Sequence, residues 1–190
     1  MTNRKHKVFI GSSREAIEYA RAVSEQLERE KEIQVSPWYA GVFGTNDYTM
    51  EALERELDVN NFGIFIFAAE DIVTIRNTIY FVTRDNTLFE MGLFWGRLGK
   101  RRVFCMIPGF LPDRAEGGTV TFHLPSDLEG LNLLRYTDNP KLAAAVDVAC
   151  GKILHAVRKE GVFKQRHEII ADTENLIQRK DSVLLFFGNT

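Results

Sequence analysis

The stretch "FGIFIFA", residues 62–68, narrows the fold of this chain more than any other. It contains no polar side chain, is shorter than an ordinary helix, and is too apolar for a strand with one face in water. A run of that kind fits a strand covered on both faces, as in a parallel sheet held between two helical layers. "VFCMI" (103–107) repeats the pattern, and Val8–Ile10 and Ile33–Ser36 are shorter versions of it. Between these runs, apolar residues recur at helical spacing: Ile17, Ala20, Val23 and Leu27, then Met50, Leu53 and Leu57, and finally Leu142, Val146, Ala149, Ile153 and Val157. A further helix is predicted over roughly 86–98, closed by Gly99 and the basic "KRR", and "GLNLLRY" (130–136) is a weaker fifth strand. Strands alternating with helices predict an α/β protein of flavodoxin-like, doubly wound type: a central parallel sheet of about five strands with helices on both faces. Residues 70–83 read as a connecting segment and 108–130 as a loop-rich excursion.

Length and charge set the remaining bounds. The 190 residues suffice for one well-cored domain plus a small appendage, and 45% hydrophobic content with 14 Phe excludes a disordered chain. We divide them into a domain over 1–160 and a C-terminal extension over 161–190. The extension reads as a helix plus the apolar tail "VLLFF" (183–187), or as the start of a linker to a sensor domain. A net charge of −2 exerts no general pull on nucleic acid or anionic membrane, and Arg4–Lys7 is a short terminal basic cluster. No run approaches the about 18 apolar residues of a membrane span, and no secretory h-region opens the chain. Cys105 and Cys150 lie in apolar surroundings without CxxC spacing, as reduced core residues of a cytoplasmic protein do. The four scattered histidines have no metal-ligand spacing, so no metal is expected.

In open α/β sheets, ligands bind beyond the carboxyl ends of the strands. That edge should collect Gly11, Ser12 and Ser13 after the first strand, Trp38 and Phe43 after the second, Asp71 after the third, and the residues leading into the helix at 86–98. There is neither GxGxxG nor GxxxxGK[ST], so the usual dinucleotide and P-loop phosphate sites are not indicated. "GSS" reads as a helix start with Ser13 near the cap, a turn able to offer backbone N–H groups to a phosphate. Trp38 and Phe43 are either aromatic faces for a ligand ring or loop anchors packed on the sheet.

The most pointed residue is Glu90, within "RDNTLFEMGLF" (84–94). With Asp85 or Asn86 as the helix cap, it falls at the end of the first turn, where the helix dipole favours the ionised carboxylate. Leu88, Met91, Trp95 and Leu98 make an apolar stripe that Phe89 and Leu93 widen, and Glu90 sits on its margin. Periodicity alone leaves two readings open: an acid held at a site, or a partly exposed glutamate paired with Arg84 or Arg97.

"KVFIGSSREAIEYARAV", "WYAGVF", "FGIFIFAAED", "TRDNTLFEMGLFWGRLGKRRVF" and "LPSDLEGLNLLRY" together resemble the predicted nucleotide-binding TIR-like family. These are effector domains of bacterial CBASS and Pycsar antiphage defence, including the TIR half of TIR–STING fusions. The resemblance spans about residues 6–158 and is most specific in the block from Arg84 to Gly99. It implies cleavage of NAD+ at the nicotinamide–ribose bond, with Glu90 as the catalytic carboxylate. Gly11, Ser12, Ser13, Trp38, Phe43, Arg84, Asp85 and Asn86 are then candidates for substrate binding, with NAD+ as substrate and no separate cofactor. It also implies activation by homo-oligomer assembly and a sensor domain or partner that responds to a nucleotide second messenger. An ADP-ribosyl cyclase or transferase and a non-catalytic TIR adaptor share the pattern, and a flavodoxin-like electron carrier shares the fold class.

Overall fold

The computed structural model describes residues 5–40, 49–112, 121–130 and 132–163. Five parallel strands form the central sheet: β1 (His6–Ser12), β2 (Ile33–Pro37), β3 (Phe62–Ile66), β6 (Val103–Pro108) and β8 (Asn132–Tyr136). Their order, β2-β1-β3-β6-β8, is that of a flavodoxin-like sheet, as the alternating pattern predicts. Four helices flank it: α1 (Ile17–Leu27), α2 (Thr49–Val59), α3 (Asp85–Leu98) and α4 (Leu142–Glu160).

Every residue of β3 and β6 is buried, because side chains on both faces find helices to pack against. Val8, Ile10, Ile64, Ile66 and Met106 join the layer of α1 and α4, together with Val23, Leu27, Ile153 and Val157. Phe9, Phe65, Phe67, Cys105 and Ile107 point the opposite way, toward Leu53 of α2 and Met91, Phe94 and Leu98 of α3. The period of two along each strand therefore separates two cores that a run such as "FGIFIFA" conceals. Cys105 and Cys150 are both free and buried.

Phe94 is the pivot of the second core. Its ring stacks on Phe9 at 4.8 Å and meets Phe65 edge-on at 5.3 Å. Gly63 makes this approach feasible, since a Cβ there would lie 2.8 Å from the Phe94 ring. The buried stripe of α3 is Thr87, Met91, Phe94 and Leu98, whereas Phe89 is 54% exposed. Phe89 thus does not widen the apolar face as the spacing suggests, because the true stripe is centred one position further round the helix.

Two connecting segments hold more structure than their composition predicts. Residues 70–83 contain the antiparallel pair β4 (Asp71–Ile75) and β5 (Thr78–Val82), joined through Arg76 and Asn77. Both turn residues have positive φ, 50° and 63°, as a type I′ hairpin turn requires. Arg-Asn lacks the glycine that usually announces this turn, so the hairpin is easily missed. A short β7 (Thr121–Phe122) pairs with β5 to complete a second, three-stranded sheet, and a 3₁₀ turn occupies Ser126–Gly130. Among the described residues, no helix is long and apolar enough to cross a membrane. Phe43 and residues 164–190, including the apolar tail, lie outside the described residues.

Candidate functional site

"GSS" does not turn straight into a helix. Gly11 and Ser12 remain on β1, held by pairing with Phe65 and Ile66 of β3, and α1 begins only at Ile17. Ser13 instead braces the intervening turn, its Oγ accepting the Ala16 N–H at 3.2 Å. The α3 boundary moves similarly. Its cap is Arg84, with extended backbone and no side-chain cap bond, while Asp85 is the first helical residue and accepts the Asn86 N–H at 2.8 Å.

These turns enclose a cleft of about 440 Å³ at the carboxyl edge of the sheet. Ser12, Ser13, Arg14 and Glu15 form one wall. Arg84, Asn86, Thr87 and Glu90 of the α3 segment form the other, and Trp38 closes the end beyond β2. The volume falls in the usual range of small-molecule pockets. The edge of the sheet thus brings together Ser12, Ser13, Trp38, Arg84, Asn86 and Glu90 from the residues singled out in the sequence.

Gly11, Asp85 and Asp71 are not brought into the cleft. Gly11 faces the core, where a Cβ would lie 2.7 Å from the Phe65 ring, so packing accounts for the glycine. Asp85 is turned to its own helix end. Asp71 opens β4 in solvent, 3.4 Å from the Arg84 Nε. Its neighbour Glu70 is the acid beneath the wall, with a side chain only 3% exposed. Glu70 accepts a hydrogen bond from the Ser13 hydroxyl, and its other oxygen lies 3.6 Å from the Arg84 Nε. Burial pushes the Glu70 carboxyl above its usual range against the pull of Ser13, with Glu15 adding to the push and Arg84 opposing it. Periodicity could not separate Glu70 from Asp71, since only the hairpin after β3 decides which acid turns inward. Arg14, Glu15 and Thr87 join the wall by adjacency to the predicted residues, and this was their only sequence signal.

Glu90 differs from every other acid of the cleft. It is half-buried on the second turn of α3, with no hydrogen bond or ion pair among the described residues. Arg84 is engaged by Glu15 at 3.2 Å and by Glu70 and Asp71, while Arg97 pairs with Asp58 at 3.0 Å. The alternative reading, Glu90 paired with either arginine, is therefore not what the structure holds. Nor does the helix dipole keep Glu90 ionised: the dipole fades beyond the first turn, and desolvation raises the carboxyl from 4.5 to about 7.

Trp38 proves to be both anchor and wall. Its ring packs beside the α2–α3 core, and its Nε1 donates to Ser12 Oγ at 2.8 Å, fixing the plane that the cleft sees. Among the described residues, no cluster of three or more His, Cys, Asp or Glu has the geometry of a metal centre.

Known proteins resemble this chain over most of its length. The family described as "CAP12/Pycsar effector protein, TIR domain" matches residues 7–138. The Pycsar effector protein PaPycTIR of Pseudomonas aeruginosa is 39% identical over 157 residues, 81% of this chain and 48% of that protein. BcPycTIR of Burkholderia cepacia is 38% identical over 137 residues, 72% of this chain and 42% of its own. CD-NTase-associated protein 12 of Flavobacterium daejeonense is 34% identical over 139 residues, covering 73% of this chain and 40% of that protein. The chain thus spans somewhat less than half the length of these curated relatives. With its flavodoxin-like sheet order and a match across both walls of the cleft, the chain belongs to the TIR-domain family of CAP12/Pycsar effector proteins.

Proposed function

We propose that this domain is an NAD+ nucleosidase that cleaves the nicotinamide–ribose bond in antiphage defence, with Glu90 as its catalytic carboxylate. The observation that carries the proposal is the Glu90 carboxyl itself, half-buried, without a hydrogen bond or ion pair among the described residues, and pushed up to about 7 on the wall of a preformed cleft. Leaving an acid there without a counter-charge costs stability, and a positive charge supplied by the ligand offsets that cost.

NAD+ brings such a charge. As the C1′–N bond breaks, its electron pair goes to the pyridinium nitrogen, so nicotinamide leaves neutral and needs no proton donor. Positive charge then develops on the ribose as an oxocarbenium-like ion. An adjacent carboxylate stabilises that ion more than the ground state, which is the requirement for catalysis. Water captures the cation, giving ADP-ribose and releasing a proton. One carboxylate suffices, whereas an ordinary glycoside commonly needs a second to protonate its leaving oxygen. Trp38, fixed by Ser12, offers a flat face to a substrate ring.

The printed names of the relatives, Pycsar effector and CD-NTase-associated protein, support a role downstream of a nucleotide second messenger. On this reading, a sensor domain or partner detects the messenger, and copies of the TIR domain become active by assembling. The decisive experiment incubates micromolar protein with NAD+ and measures free nicotinamide, with Glu90→Gln as the control. Chromatography of the second product separates ADP-ribose from a cyclised or transferred one. Assembled protein that releases no nicotinamide would exclude all of these reactions and leave a non-catalytic adaptor.

A further inference from the structure

The two serines of the cleft have their hydrogens committed away from it. Ser12 donates its hydroxyl hydrogen to the Ser13 carbonyl at 2.9 Å while receiving the Trp38 Nε1–H at 2.8 Å. Ser13 donates to the buried Glu70 carboxyl while receiving the Ala16 N–H at 3.2 Å. A serine hydroxyl has one donor and two acceptor lone pairs. Among the described residues, each serine therefore keeps one lone pair and no hydrogen for a ligand. In the backbone of this turn, the Ile17 N–H binds the Arg14 carbonyl and the Ala16 N–H is taken by Ser13. Neither hydroxyl of "GSS" therefore donates to a phosphate, whereas Arg14 on the same wall can.

Depth sorts the rest of the cleft. Ser12 and Ser13 are buried, each 8% exposed, whereas Arg14 and Arg84, the cations of the cleft, are exposed at its rim. We infer that Ser12 and Ser13 form an acceptor-only floor that selects a hydroxyl-donating sugar and turns phosphate away to the arginine rim. The deep sugar is the reacting ribose, since Glu90 stands on the opposite wall of the same cleft. This assignment rests on the proposed NAD+ reaction for the identity of the sugar. Glu70 acts as a positioning residue: by accepting from Ser13, it keeps that hydroxyl hydrogen out of the cleft.

The test is calorimetric titration of ADP, ATP and ADP-ribose onto the 190-residue chain and its Ser12→Ala, Ser13→Ala and Ser13→Thr variants, with circular dichroism to confirm folding. Wild type should bind ADP-ribose about 3–10-fold more tightly than ADP, the worth of one or two neutral hydrogen bonds. ATP should gain nothing from a phosphate in place of the sugar. Either alanine variant should reduce the ADP-ribose advantage; Ser13→Ala, which leaves the Ser12–Trp38 bond in place, should leave ADP unchanged, and Ser13→Thr should restore the advantage. No preference for ADP-ribose in the wild type, a preference that survives in folded forms of both alanine variants, or an equal loss of ADP binding in Ser13→Ala would each overturn the floor. If NAD+ is not cleaved but the serine-dependent preference holds, the reaction assignment falls and the floor stands. If nicotinamide is released with no such preference, the floor alone falls.

Discussion

Replacing Glu90 with glutamine should make this domain more stable at pH 8 while largely abolishing nicotinamide release. The reasoning starts from the carboxyl, which desolvation raises from 4.5 to about 7. Below about pH 4.5 the group is protonated in both folded and unfolded chains, so its burial brings no ionisation penalty. Between 4.5 and 7 the unfolded chain ionises while the folded one resists, so stability falls as pH rises. Above 7 the penalty is complete. At about 1.4 kcal/mol per pH unit this amounts to about 3 kcal/mol, which partial exposure reduces to about 1–3 kcal/mol. Glutamine has the same length and never ionises, so it removes the penalty. Other titrating groups are common to both proteins and cancel in the comparison. Thermal melts at pH 5 and pH 8 give the measurement: a small gain for Glu90→Gln at pH 5, growing to about 3–10 °C at pH 8. The same variant should lose on the order of 10²-fold in nicotinamide release. A variant no more stable than wild type at pH 8 would refute the claim that Glu90 is held at a desolvated site. Full activity in that variant would refute its role in the chemistry.

Other outcomes are expected from the same geometry. Because the ionised form of Glu90 stabilises the ribosyl cation, kcat/KM should rise with pH, reach half its plateau near 7 and level off above it, and a flat profile from pH 5 to 8 would count against it. Trp38→Ala should raise KM for NAD+ more than it lowers kcat, and kinetics showing the reverse would remove Trp38 from binding. Gly11→Ala should destabilise the domain by about 1–3 kcal/mol in urea denaturation by forcing a methyl against Phe65; an undisturbed protein would show that the strand can shift. Specific activity should climb steeply with protein concentration or artificial dimerisation, as expected when only a small fraction is in the competent state. Constant high activity of a monomer from nanomolar to tens of micromolar, with light scattering as the check, would dismiss activation by assembly.

The local pattern alone carried much of this protein. Runs such as 62–68 and 103–107 have no solvent-compatible face, so they demanded a parallel sheet between helices, and the helical stripes supplied those layers. Glu90 was conspicuous for the same reason, as a charge within an apolar segment. What the chain could not express locally was direction and company. The Arg76–Asn77 turn adopts positive φ without the glycine that would advertise it, and that hairpin sends Glu70 inward and Asp71 outward. Helix α3 starts at Asp85, which places Glu90 on the second turn, beyond the dipole's reach and among groups that desolvate it. Arg84 and Arg97 lie within a few residues of Glu90 along the chain, yet acids distant in sequence, Glu15 and Asp58, take them instead. Periodicity reports which side of an element avoids water. Only the packed structure decides which charges meet, because ion pairs, hydrogen-bond polarity and desolvation depend on residues brought together from separate strands and turns.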